Sequence, residues 1–232
     1  MKLGIMQPYF FPYIGYWQLM NAVDKYVIYD DVNYIKGGWI NRNRILLNGQ
    51  AHYYNLPCVN LSVNKLINES EANLDVREIE KQLRKLKESY KNAPNYKDVF
   101  PIIENIMCSN ISNLAEYLTN QIQVICGALG IKTELIISSS LQKDNSLKGQ
   151  EKVLAICREL AATEYYNAIG GKTLYSTEAF QTNGIKLSFL RTNEIIYEQF
   201  KREFVPNLSI IDVMMFNSRE TIQKMLMDYT LE

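Results

Sequence analysis

Strand-length apolar segments alternate with amphipathic helical stretches at both ends of this chain, and that alternation most restricts its fold. Lys2–Met6 reads as a strand, Gly15–Lys25 as a helix and Tyr26–Asp30 as a second strand. Toward the other end, Thr133–Ile137 reads as a strand and Gln150–Ala161 as a helix, with Val153, Leu154, Cys157 and Leu160 facing inward. Strands at Glu164–Ile169 and Lys186–Leu190 follow, and the apolar Ser209–Phe216 reads as a helix capped by Asn207 or Ser209. Strands separated by helices are joined in parallel. The expected fold class is therefore α/β, a mostly parallel sheet with helices on both faces.

The middle of the chain breaks this rhythm. Asn48-Gly49 between Ile45–Leu47 and His52–Leu56 is a two-residue hairpin signal. From Asp75, Ile79, Leu83, Leu86 and Tyr90 recur at helical spacing, as do Leu114, Leu118, Ile122, Ile125 and Leu129, with Gly130 as a stop. Residues 75–130 are expected to form a helical insertion within one domain spanning 1–232.

Composition excludes several kinds of chemistry. Lys plus Arg and Asp plus Glu are both 25, so no surplus positive charge favours nucleic acid as a partner. His52 is the one histidine, so a multi-histidine metal site is impossible and no metal site is expected. His52 itself is expected to be a hydrogen-bonded structural residue. Cys58, Cys108, Cys126 and Cys157 lack a C-x-x-C pair and read as reduced. No apolar run is long enough to span a bilayer, and prolines and aromatics break the short apolar start. A cytoplasmic protein is expected. The oligomeric state is left open, a homo-oligomer included.

Candidate site residues cluster where strands end. Two prolines make Gln7–Pro12 a loop, and Tyr13, Gly15 and Tyr16 follow at a helix start. Asp30 and Asp31 close the second strand. Asn41-Arg42-Asn43-Arg44 crowds two guanidiniums and two amides together after Trp39, with Lys36 nearby, and guanidinium forks match phosphate or carboxylate. The alternative is that Asp30 and Asp31 pair with these arginines. Gly170-Gly171-Lys172 follows a strand without P-loop spacing and reads either as an anion-presenting turn or as a plain turn, with Tyr175 beyond it. Ligands in open α/β sheets sit beyond strand carboxyl ends. Gln7, Tyr13, Asp31, Arg42 and Lys172 are accordingly expected to face one cleft. Asp212, in an apolar segment, needs a partner if buried.

Two stretches carry a family resemblance. The first is Met6–Tyr16 with Tyr29-Asp30-Asp31-Val32 and Trp39–Arg44. The second is Tyr165-Tyr166-Asn167 through Gly170–Tyr175, then Asn207–Asp212. Together they resemble the WbqC-like family over almost the whole chain. The resemblance implies a role in bacterial O-antigen or capsule assembly, with glycine or a small acyl group transferred to an amino sugar or nucleotide sugar. Amide formation needs an activated carboxylate, supplied by ATP with Mg or by a preformed acyl carrier; the sequence names no cofactor of its own. The strand, loop and Tyr13-x-Gly15-Tyr16 order also resembles the nucleotide-binding half of HIGH-type nucleotidyltransferases and of adenylating enzymes such as pantothenate synthetase, with tyrosines at the two histidine positions. In an enzyme of this kind Asp30, Asp31, Arg42 and Lys172 would be catalytic. Gln7, Tyr13, Gly15, Tyr16, Lys36, Trp39, Asn41, Asn43, Arg44, Gly170, Gly171 and Tyr175 would bind substrate or nucleotide. A nucleotidyltransferase and a non-catalytic nucleotide-sugar or partner-binding protein remain as alternatives.

Overall fold

A computed structural model describes residues 1–232. The strands of the central sheet are β1 (Lys2–Met6), β2 (Lys25–Ile28), β7 (Glu134–Ile137), β8 (Glu164–Ala168), β9 (Lys186–Thr192) and β10 (Tyr229–Leu231). Their spatial order is β10-β9-β8-β1-β2-β7. All neighbours are parallel except β10, which runs antiparallel along the β9 edge. Numbered by position in the chain, the five parallel strands lie 3-2-1-4-5, the doubly wound order that reverses direction between β1 and β8.

Both faces are covered, as a parallel sheet requires. Leu3, Ile5, Val27, Tyr165 and Phe189 pack on one side against α5 (Gly149–Glu159) and Phe180 of α6 (Thr177–Thr182). Tyr26, Ile28, Tyr166 and Leu190 face the other side, toward α1 (Ile14–Asn21) and the larger core. That core takes in α2 (Val76–Tyr90), α3 (Tyr96–Met107), α4 (Leu114–Leu129), α7 (Ile210–Phe216) and α8 (Arg219–Met225). The caps follow residue type. The side chains of Asp75, Asn113 and Ser209 accept first-turn amides of α2, α4 and α7, and Gly130 ends α4 in the left-handed region at φ 78°.

The hairpin joins β3 (Arg42–Leu47) to β4 (Gln50–Asn55). Asn48 and Gly49 both have positive φ, 54° and 80°, as the tight hairpin turn demands. A minor two-stranded ribbon pairs β5 (Cys58–Val59) with β6 (Glu71–Ala72).

Several boundaries differ from the sequence reading. The second strand stops at Ile28, so Asp30 and Asp31 lie beyond it. Gly170 and Gly171 fall inside a 3-10 turn, Ile169–Leu174, with neither glycine at positive φ. His52 sits half-buried in β4 opposite Ile45 and makes no side-chain hydrogen bond. No helix is long and apolar enough to cross a membrane.

Candidate functional site

A cavity of about 540 Å³ opens at the carboxyl end of β1, beside the point where strand order reverses. Gln7, Tyr9 and Tyr13 come to it from the segment after β1, Trp39 from the loop before β3, Asn43 and Arg44 from β3, and Asn207 from the segment before α7.

Buried polar side chains hold the Gln7–Pro12 segment in shape. Asn43 Nδ2 donates to the carbonyls of Phe10 and Phe11 at 3.1 and 2.7 Å. Ser209 Oγ donates to the same Phe11 carbonyl at 2.8 Å. Gln121, buried on α4, accepts the Phe11 amide at 3.0 Å and donates to the Tyr9 carbonyl at 3.2 Å. Trp17 Nε1 donates to the Pro12 carbonyl at 3.0 Å. Phe11 is fixed at φ 41°, a left-handed conformation unfavourable for its residue type. A turn braced from so many elements is preorganised rather than adaptive.

The two arginines of the crowded motif part company. Arg42 donates through Nε to the Gly38 carbonyl at 2.9 Å and through a terminal nitrogen to the Gly37 carbonyl, and stacks 4.7 Å over the Tyr53 ring. It closes the loop and does not line the cavity. Arg44, two residues along the strand, does. Its guanidinium lies 5.6 Å over Trp39 and gives one bond, 3.2 Å, to the Asn207 carbonyl. Its Nε is buried without an acceptor. No acid lies within ion-pair distance of either arginine, so Asp30 and Asp31 are not their partners.

Other candidates are spread more widely. Asn41 accepts the Tyr34 hydroxyl at 2.8 Å and donates to the Leu56 carbonyl at 3.1 Å, fastening the hairpin away from the cavity wall. Lys36 is exposed in the loop that supplies Ile35 and Gly38 to the rim. Tyr16 is buried among Tyr9, Trp17 and Tyr26, and that burial pushes its hydroxyl pKa up. Gly15 is required by packing, since a Cβ there would collide with the Tyr13 hydroxyl and Thr192 Oγ1. Lys172 and Tyr175 are absent from the cavity wall. The Lys172 ammonium pairs with Glu232 at 2.9 Å, and Arg191 together with Lys172 holds that carboxylate down at about 2. Tyr175 packs edge-on against Tyr165 and Phe180.

Asp30 and Asp31 belong to a separate place, beyond the carboxyl ends of β2 and β7. Asp30 accepts Ser139 N at 2.9 Å, Ser139 Oγ at 2.6 Å and Asn68 Nδ2 at 3.3 Å. Asp31 Oδ2 lies 2.9 Å from the Lys143 ammonium and 3.0 Å from that of Lys152. Burial alone would raise the Asp31 pKa, but Lys143, the Ser138 hydroxyl and Lys152 together hold it below the usual carboxylate value. Of the residues expected to meet in one cleft, the structure unites Gln7 and Tyr13, together with Trp39, Asn43 and Arg44. Asp31, Arg42 and Lys172 lie elsewhere. Gln121 carries no signal in the sequence, because it interrupts an apolar helical stripe by one residue. Lys143 and Lys152 carry none either, because isolated lysines near a helix start look solvated.

The fold and the cavity define a doubly wound α/β protein with a braced cavity at the carboxyl edge of its sheet. The profile of the WbqC-like protein family matches residues 7–224, and the chain belongs to that family. It is 29% identical over 221 residues to the uncharacterized protein Rv1507c of Mycobacterium tuberculosis, covering 92% of each chain. No solved structure matches it.

Proposed function

We propose that this protein binds an anionic amino sugar or nucleotide sugar in the Arg44 cavity and acts on it as a sugar-modifying transferase of bacterial surface-polysaccharide assembly. In that reaction glycine or a small acyl group is attached to the sugar amine through an activated carboxylate. Arg44 carries the binding half of this reading. Its guanidinium lines the cavity without an acidic partner and makes a single bond within the protein, to the Asn207 carbonyl. Its remaining terminal N–H groups match the oxygens of a ligand phosphate or carboxylate. Trp39 beside it is 44% exposed and offers a flat face for a sugar ring. The Gln7 amide has no partner within the protein and is free for hydroxyl groups. The transfer half rests on the family resemblance.

ATP held as in HIGH-type enzymes fits these residues poorly. The Tyr13 hydroxyl and Thr192 fill the space over Gly15 that a nucleoside would approach. A preformed acyl donor suits the site better. One observation favours a second reading, a non-catalytic sugar-nucleotide binder: the cavity wall includes no Asp, Glu, His, Cys or Lys to move a proton.

Calorimetry with a UDP-amino sugar tests the binding half. Arg44→Ala should weaken binding by roughly ten- to hundredfold, the worth of one charge-assisted contact. Equal affinity in mutant and wild type removes Arg44 from the site. Mass spectrometry of the sugar after incubation with an activated glycyl donor separates the readings. A glycyl adduct supports the transferase, and unmodified but bound sugar supports the binder.

A further inference from the structure

Between Asp31 and Glu69 the chain carries no acid, while Lys36, Arg42, Arg44 and Lys65 supply positive charge. In a chain of zero net charge, this makes one part of the molecule wholly cationic: the loop before β3, the β3–β4 hairpin and the strap that follows it. The same part leaves apolar side chains in water. Ile35, Tyr53 and Val63 are about half exposed, and Trp39 nearly so. Exposed apolar groups gathered in this way mark a contact surface.

These groups form one continuous face. The rings of Trp39 and Tyr53 lie 6.3 Å apart, and the Arg42 guanidinium sits over Tyr53. Asn33 Nδ2 donates to the Val63 carbonyl at 2.7 Å and the Tyr34 amide to the Lys65 carbonyl at 2.9 Å, which sets the strap beside Ile35 and Lys36. The Lys85 ammonium donates to the Tyr53 carbonyl, and Lys81 and Arg84 of α2 border the same groove. Acids do not neutralise this charge. Glu88 is the one acid on that groove, Lys81 reaches Glu78 only at 4.0 Å, and the Glu69 carboxylate is folded onto the Leu66 amide. None of Lys36, Arg42, Arg44, Lys65, Arg84 and Lys85 makes an ion pair.

We infer that this face docks the protein on an anionic lipid surface, as a peripheral contact without a spanning helix. Ile35, Trp39 and Tyr53 enter the headgroup layer, where aromatic side chains are favoured, and Lys36, Lys65 and the α2 cations meet the lipid phosphates. A nucleic-acid strand would engage the rings and the cations but leave Ile35 and Val63 in water. Ile35 and Trp39 also rim the Arg44 cavity, so docking sets that cavity at the headgroup plane. The inference does not depend on what the cavity holds.

Vesicles of equal parts phosphatidylcholine and phosphatidylglycerol, mixed with the full chain, test it. The chain has two tryptophans and Trp17 is fully buried, so a change in emission reports Trp39. A blue shift and quenching by bromine-labelled lipid are expected with these vesicles and not with pure phosphatidylcholine, and both should weaken at high salt. Lys36→Glu combined with Lys65→Glu, both at exposed positions, should weaken vesicle binding by about tenfold or more. Unchanged Trp39 emission with the anionic vesicles overturns the inference, as does equal binding by wild type and the double variant. Equal binding to pure phosphatidylcholine overturns the anionic assignment. The same blue shift with polyglutamate or with a single-stranded oligonucleotide overturns the lipid assignment in favour of a protein or nucleic-acid partner.

Discussion

Lys152 grips Asp31 twice, reaching the carboxylate at 3.0 Å and the backbone carbonyl of the same residue at 2.7 Å. The pair joins α5 to the segment just beyond β2, and Lys143 completes it from the chain following β7. A buried carboxylate between two ammoniums stabilises the fold only while it is ionised.

Asp31→Asn should therefore destabilise the protein by about 3–5 kcal/mol, because two buried ammoniums lose their counterion. The pH dependence has a definite sign. The folded pKa of Asp31 lies below the ordinary carboxylate value, so its contribution is complete above that ordinary value and is lost as pH falls through the lower folded one. Urea denaturation of wild type and mutant should show the gap between them closing only in strong acid. A gap of under about 1 kcal/mol at neutral pH would mean the ion pairs are not formed.

Asp212 should behave in the opposite sense. It is fully buried with no cation near it, and it accepts Tyr90 OH at 2.7 Å, Tyr197 OH at 2.7 Å and Gln199 Nε2 at 2.6 Å. Burial raises its pKa, and the three donors offset only part of that rise. The folded state then holds the proton more tightly than the unfolded chain. Its contribution grows as pH falls from above the raised folded value toward the ordinary one. Asp212→Asn should lack this gain, so its deficit relative to wild type should widen between pH 7 and mild acid. A deficit constant with pH would place the Asp212 pKa at its ordinary value.

Gly15→Ala should disturb the cavity from behind. The added Cβ meets the Tyr13 hydroxyl and Thr192 Oγ1, and Tyr13 is a cavity wall. Overpacking of this kind costs about 1–3 kcal/mol. Thermal unfolding should register that loss, and the sugar-nucleotide-dependent shift should fall with it because Tyr13 must move. Unchanged stability would show that the ring yields freely.

The sheet was legible in sequence because each parallel strand is a short apolar run set off by a helix, and burial on both faces leaves no other pattern. Asn48-Gly49 likewise announced its hairpin, since few other dipeptides accept two positive φ values. The cavity was legible only in part. Arg42 and Arg44 look equivalent in a list of residues, and only the path of the Gly37-Gly38 turn shows that Arg42 is consumed by its carbonyls. Lys172 follows a strand just as Gln7 does, but Glu232 on the distant C-terminal segment captures it. Such pairings depend on which strand lies beside which, and periodicity does not encode that. Gln121 braces Phe11 from 110 residues away, a contact with no local signature.

Arg42 and Arg44 allow the sharpest comparison, because one sequence motif has divided into a loop-closing and a cavity-facing guanidinium. Removing Arg42 deletes two bonds to the Gly37 and Gly38 carbonyls and its stack on Tyr53. Arg42→Ala should lower stability by about 1–2 kcal/mol through those lost contacts, and should weaken ligand binding only as far as the loop carrying Trp39 loosens. Arg44 gives the protein one bond to the Asn207 carbonyl and leaves its Nε unused. Arg44→Ala should barely change the melting temperature of the free protein, and the shift produced by a given concentration of UDP-amino sugar should shrink as a roughly ten- to hundredfold weaker affinity requires. Arg44→Lys separates charge from shape. A lysine keeps the charge but loses the planar fork and the stack on Trp39, so a bidentate phosphate contact predicts recovery of only a small part of the affinity. Full recovery by lysine would reduce the contact to a point charge. Loss of ligand binding in Arg42→Ala but not in Arg44→Ala would move the site from the cavity to the Tyr53 side of the hairpin.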